Sequence, residues 1–312
     1  MARQRMAAFL AAIALGATFA TDGLADEAAW KTHLEAGKRA GKAGDYADAS
    51  RSFRLAVKEA ESFGATDPRL GETLNLLGLA YTAQRRPEQA ETALRRALAI
   101  REAALGVSHR DTSATRTNLA NALVMQGRQS QAELLYKEAI SDIEGKPAHD
   151  ESDLEEILIS LSTLYASQGR LAEAESLARR ALGISERSQG PNGLQVQEHL
   201  HQLASILAMR KKYDEAAAAA SRALAINREV LGANHPQVGI SLQILGGILT
   251  SQGSYEEAQA ALRESLAILE RSVGSQDRLV ADSLRLYAVA LRQSGREAEA
   301  KEVERRLGQM GP

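Results

Sequence analysis

The chain has 312 residues, 38 basic against 40 acidic side chains, a net charge of −2 and no cysteine. A balance so near neutrality offers no basic surface for nucleic acid, and the missing thiols remove disulfides, thiolate metal sites and cysteine nucleophiles while suiting an oxidising compartment. Aromatic residues make up 4%, and alanine and leucine dominate with Glu, Arg and Gln between them. These are strong helix formers, so the expected class is all-α.

The N-terminus stands apart. Arg3 and Arg5 precede an uncharged stretch from Met6 to Thr21, and small residues then lead to Gly23-Leu24-Ala25, just ahead of Asp26-Glu27. This is the pattern of a secretory signal peptide over residues 1–25, with cleavage expected after Ala25, Ala20 as the second choice, and retention as an anchor as the competing reading. A span needs roughly 20 apolar residues, and no other segment supplies them. Without cysteine there is no lipobox. The remaining chain, 26–312, is therefore expected to be exported to the periplasm or secreted from a bacterial cell, with no stable membrane span after cleavage.

From there on one period governs the sequence. Ala90, Ala132, Ala174, Ala216, Ala258 and Ala300 follow one another at steps of 42 residues, a signature of stacked repeats. Twelve residues before each stands a second small residue, Gly78, Ala120, Ser162, Ala204, Gly246 or Ala288, preceded by Leu77, Leu119, Leu161, Leu203, Leu245 or Tyr287. Three residues after it come Tyr81, Leu123, Tyr165, Leu207, Leu249 and Leu291. Apolar residues at that spacing mark one face of a helix, and the small residue within the face admits a second helix closely.

A break follows each first helix at Gly127-Arg128, Gly169-Arg170, Gly253-Ser254 and Gly295-Arg296, with Arg86-Pro87 and Lys212-Tyr213 as variants. The second helix carries the alanine column and ends at Gly64, Gly106, Gly190, Gly232 or Gly274. In the third repeat the break moves to Gly145-Lys146-Pro147. Glu91–Arg95, Glu133–Lys137 and Glu175–Arg179 are i,i+4 pairs on what reads as a solvated second-helix face. The expected hairpins are approximately 30–70, 71–112, 113–153, 154–196, 197–238, 239–280 and 281–307.

With the small residue counted as the eighth place, these columns resemble the tetratricopeptide repeat (TPR) family over roughly residues 30–307. Leu-Gly stands at the seventh and eighth places, Tyr or Leu at the eleventh, Ala at the twentieth, and another Ala near the twenty-seventh. The period exceeds the common 34 residues and is similar to kinesin-light-chain-type repeats, the extra residues lengthening the second helix and its following loop, as in Leu231-Gly232-Ala233-Asn234-His235-Pro236. The resemblance implies a right-handed superhelical α-solenoid of about seven antiparallel helix hairpins. Departures fall in the third repeat, where Arg116 replaces the leucine of Leu74, Leu158, Leu200, Leu242 and Leu284, and in the last, where Glu304 replaces an apolar contact as a capping helix would.

The fourth, seventh, eighth and eleventh places of each first helix face packing partners; the second, fifth, ninth and twelfth form another stripe. The resemblance implies that this stripe lines a concave groove where a peptide lies. Its candidate residues are Asn75, Leu79, Asn118, Asn121, Ile159, His201, Gln202, Gln243 and Arg285, flanked by Glu72, Thr117, Thr163, Glu198, Ser205 and Arg292. The amides can donate to and accept from a peptide main chain; Leu79, Ile159 and the peripheral Met125 and Met209 can take side chains. No Lys or Arg paired with Asn across successive repeats forms a carboxylate clamp.

Catalysis is not expected. His199 and His201 point to different sides of one helix, and His109 and His235 occupy matching loop positions three repeats apart. Phosphate loops, nucleophile elbows and HExxH motifs are absent, and no metal or cofactor is implied. The expected function is a non-enzymatic interaction module that holds a peptide or a segment of a partner protein in its groove. The alternatives are an oligomerising scaffold using its convex face or ends, and the sensor of an enzyme system whose catalysis lies on another chain.

Overall fold

The computed structural model describes residues 27–145 and 151–310. The segment expected to be a signal peptide, and the part of the third break at Lys146-Pro147, lie outside the described residues. Fourteen α-helices follow one another with no strand among the described residues: α1 (27–42), α2 (Tyr46–Ala60), α3 (Pro68–Ala83), α4 (Pro87–Leu105), α5 (Arg110–Met125), α6 (Gln129–Glu144), α7 (Ser152–Ser167), α8 (Leu171–Gln189), α9 (Leu194–Met209), α10 (Tyr213–Leu231), α11 (Pro236–Gln252), α12 (Tyr255–Val273), α13 (Arg278–Gln293) and α14 (Glu297–Gly308). From α3 onward, each first helix of a hairpin begins 42 residues after the previous one.

The chain divides into two compact units, one ending at Asp153 and the other beginning at Leu154. Within each, a helix packs mainly on its predecessor and its successor, as in a quasi-one-dimensional array. First helices also touch one another: α3 meets α5 in the first unit, while α9 meets α11 and α11 meets α13 in the second. Each unit therefore has one face built of successive first helices.

Helix starts follow from local chemistry. Asp67 and Asp277 accept the backbone N–H two residues on, capping α3 and α13. His109 and His235 do the same through Nδ1, at 3.2 Å, for α5 and α11, which accounts for their matching loop positions. The turn inside each hairpin needs one left-handed residue. Gly44, Gly127, Gly169, Gly253 and Gly295 supply it, but Arg85 and Lys211 adopt φ of 56° and 60° at equivalent places. There the sequence variants Arg86-Pro87 and Lys212-Tyr213 keep the turn and lose its glycine.

The alanine column is the innermost part of every hairpin, each member from Ala90 to Ala300 being fully buried. Opposite lies the small column. A Cβ on Gly78 would stand 2.5 Å from Leu94 Cγ, and one on Gly246 2.5 Å from Leu262 Cγ. Ser162 uses its small size differently, donating to the carbonyl of Ala174 at 2.8 Å. At the C-terminal end Ala300 is the sole buried residue of α14, and Glu304 pairs with Arg292 in place of an apolar contact.

Candidate partner-binding surface

The stripe expected to meet a partner lies on the first-helix face of each unit. In the first unit Asn118 Nδ2 on α5 donates to Asn75 Oδ1 on α3 at 3.0 Å, and Asn75 is buried. Asn121 accepts from the hydroxyl of Tyr136. Thr117 is buried and donates to the Ser113 carbonyl, and Glu72 accepts from Lys38. Leu79 is 41% exposed, and Met125 is also open to solvent.

The second unit repeats the device with other residues. Gln202 Nε2 on α9 donates to Thr163 Oγ1 at 2.8 Å and to the Ile159 carbonyl at 3.2 Å, both on α7. The sixth place of one hairpin thus reaches back to the fifth and ninth of the hairpin before, as Asn118 reaches Asn75. His201 is less open than its place suggests. Its Nδ1 faces Gln197 Nε2 at 2.8 Å, its Nε2 is buried without a hydrogen-bond partner, and burial lowers its pKa to about 4. Glu198, Ser205 and Met209 are exposed. Gln243 lines a depression of about 400 Å³ across α9, α11 and α13 with Ser205, Ile244, Gly247 and Leu286. Arg285 is exposed and pairs with Asp282. Among the described residues, no group of side chains is arranged to hold a metal ion.

One expectation is corrected. Glu91 and Glu175 are not on a solvated face: their side chains are 15% and 8% exposed. Each is an i,i+4 partner and also a staple to the next hairpin's turn. Glu91 takes Arg95, Arg128 and Gln126, and Glu175 takes Arg179, Arg210 and Lys212. Burial opposes ionisation of Glu175, but the hydrogen bonds from Arg179, Lys212 and Arg210 outweigh it and bring its pKa to about 2. The following turn comes to the same edge as the second helix, a proximity that spacing within one helix cannot reveal. Arg116 is also stapled: it is buried between Glu102, at 2.7 Å, and Asp142.

Sequence reasoning also missed a series of buried polar contacts where one hairpin meets the next. Arg101 Nη1 donates to Thr115 Oγ1 at 2.7 Å, Asn227 Nδ2 to Ser241 Oγ at 2.8 Å, and Ser265 shares a hydrogen bond with Ser283 at 3.1 Å. At the equivalent seam Ser185 Oγ lies 3.0 Å from His199 Nδ1, and His199 Nε2 lies 3.5 Å from Glu155. Burial lowers the His199 pKa and raises that of Glu155. This serine–histidine–glutamate line has the members of a hydrolytic triad, but Ser185 is fully buried, so the contact joins helices and meets no substrate. The available signal was the column itself, polar at Thr73, Thr115, His199, Ser241 and Ser283 and apolar only at Ile157.

A row of helix hairpins with a uniform packed frame and a varied first-helix stripe defines a helical repeat scaffold of the kind used for protein–protein interaction. The tetratricopeptide repeat profile matches residues 40–103, 73–142, 153–226, 195–271 and 243–307, and the chain belongs to that family. No curated protein matches it significantly.

Solved structures share the fold. BtubC (BKLC) from P. vanneervenii is 21% identical, with a TM-score of 0.57, over 72% of this chain and 91% of that one. A Podospora anserina protein described as a kinesin light chain with nearly identical TPR-like repeats is 22% identical, with a TM-score of 0.60, over 66% and 97%. Aspartyl phosphate phosphatase F from Bacillus subtilis is 15% identical, with a TM-score of 0.68, over 95% and 73%. Among the described residues no helix is long and apolar enough to cross a membrane.

Proposed function

We propose that this chain is an exported, non-enzymatic bacterial protein whose first-helix face holds a peptide or a segment of a partner protein, after the leader over residues 1–25 has been removed. One observation carries the reading: the packed columns repeat while the stripe does not. At the ninth place alone the residues are Leu79, Asn121, Thr163, Ser205, Gly247 and Val289. The hydrogen bonds of Asn118 on Asn75 and of Gln202 on Thr163 join successive first helices and also hold these side chains in place on the face. Side chains held in place on rigid helices bind at lower entropic cost than free ones.

Affinity capture from the native extracytoplasmic fraction tests the reading, comparing wild type with the double variant Ser205→Arg and Gln243→Arg. Both positions line the depression of the second unit, and neither contributes a side chain to the core. The variant is expected to keep its helicity and melting temperature and to lose the captured partner. A partner retained in full by the folded variant counts against binding on this face of the second unit.

A further inference from the structure

The first hairpin carries a cup of about 320 Å³ between α1, α2 and α3. Two glycines one turn apart on α1 shape it. Gly37 is demanded by packing, since a Cβ there would stand 2.5 Å from the Phe53 ring. Gly41 is not: a Cβ there meets nothing within 4 Å. A helical glycine weakens its helix relative to alanine, so Gly41 maintains an opening that packing does not require. Phe53, Leu76 and Leu79 form the apolar wall, and Tyr46, 43% exposed, stands with them.

The charged residues lining the cup are two lysines. Lys38 is neutralised by Glu72 at 3.1 Å and Glu35 at 3.5 Å. Among the described residues Lys42 has no ion pair, and neither it nor the Tyr46 hydroxyl has a hydrogen bond. No amide, serine or threonine side chain lines the cup. A peptide main chain laid there would find few groups to pair with its N–H and C=O, a costly arrangement. An apolar body bearing one carboxylate leaves nothing unmatched. The volume sits at the small end of ligand pockets and holds about ten non-hydrogen atoms at ~30 Å³ each, the volume of a water in the liquid.

We propose that this cup binds a medium-chain fatty acid, with its hydrocarbon against Gly41, Phe53, Leu76 and Leu79 and its carboxylate on Lys42 and Tyr46. The cup is lined by other residues than the depression at Gln243 and shares Leu79 with the first-helix stripe; its test does not depend on the partner-binding reading.

Titration calorimetry of the full chain with octanoate, octanol and octylammonium tests it, using the variants Lys42→Glu and Gly41→Leu. Octanoate is expected to bind at one saturable site, more tightly than octanol, with octylammonium weakest. Lys42→Glu should weaken octanoate about tenfold or more, as loss of a charge-assisted hydrogen bond does. Gly41→Leu should fill the cup and abolish binding with its melting temperature equal to or above that of wild type, because the new side chain enters open space. No saturable octanoate binding, equal affinity for the three probes, or unchanged binding by either folded variant overturns the proposal.

Discussion

Asn118 donates to Asn75 at 3.0 Å from one first helix to the next, across 43 residues of chain, and Asn75 is only 8% exposed. Two residues expected to meet a partner therefore meet each other first. Asn118→Ala should leave the buried Asn75 amide unpaired and destabilise the first unit by about 1–2 kcal/mol. The Asn75→Ala and Asn118→Ala pair should cost less than the sum of the single changes. A double-mutant cycle by urea denaturation checks this, and strict additivity would show that the bond contributes nothing.

Acid should loosen the second unit in two stages. His201 is neutral when folded because burial lowers its pKa from 6.5 to about 4. Between those values the unfolded chain takes up a proton that the folded chain refuses, so stability falls as pH drops through that window. Glu175 acts lower, its carboxylate held at about 2 against 4.5. Its contribution, of order 3 kcal/mol, is lost as pH falls from about 4.5 to 2. Melting temperature against pH should show both losses; His201→Phe should shrink the upper one, leaving the share of His199, whose pKa burial also lowers, and Glu175→Gln should flatten the lower. A wild-type profile level from pH 6.5 to 4 would contradict the assignment of His201.

Arg85 and Lys211 hold left-handed turns that glycine holds in five other hairpins. A side chain in that region costs about 1–2 kcal/mol, partly offset by the greater freedom glycine has when unfolded. Arg85→Gly and Lys211→Gly should each stabilise the protein by about 0.5–1 kcal/mol, read from chemical denaturation. A loss of stability in both would mean that the side chains contribute more than the turns cost.

Gly78 and Gly246 should tolerate alanine far better than leucine. Alanine occupies the same column at Ala120, Ala204 and Ala288, so a small shift of Leu94 or Leu262 can admit a methyl group. Leucine cannot be admitted, because Leu94 and Leu262 are themselves fully buried. Gly78→Leu should cost about 2–3 kcal/mol, seen as a lowered denaturation midpoint, whereas a midpoint equal to that of Gly78→Ala would show the column to be loosely packed.

The frame was legible because it repeats: the alanine and glycine columns, the helix ends and the capping change at Glu304 all follow from spacing along one helix or one period. The contacts between hairpins were not. Asn118 on Asn75, Arg128 on Glu91 and Ser185 on His199 pair side chains on different helices, and nothing in either helix alone names the partner. The histidines show both sides of this limit. His109 and His235 were readable as loop residues from their matching places, whereas the burial of His201 depends on packing around the fifth place and has no local signal.

Site-specific photocrosslinking in the native host tests the central claim most directly. A photoreactive residue would be placed in turn at Asn121, Thr163 and Ser205 on first helices, and at Leu134 and Val230, exposed apolar positions of second helices. Crosslinks to one partner species from the first-helix positions, and none from Leu134 or Val230, are the predicted result. Crosslinks confined to Leu134 and Val230 would place the partner on the opposite face and contradict the account.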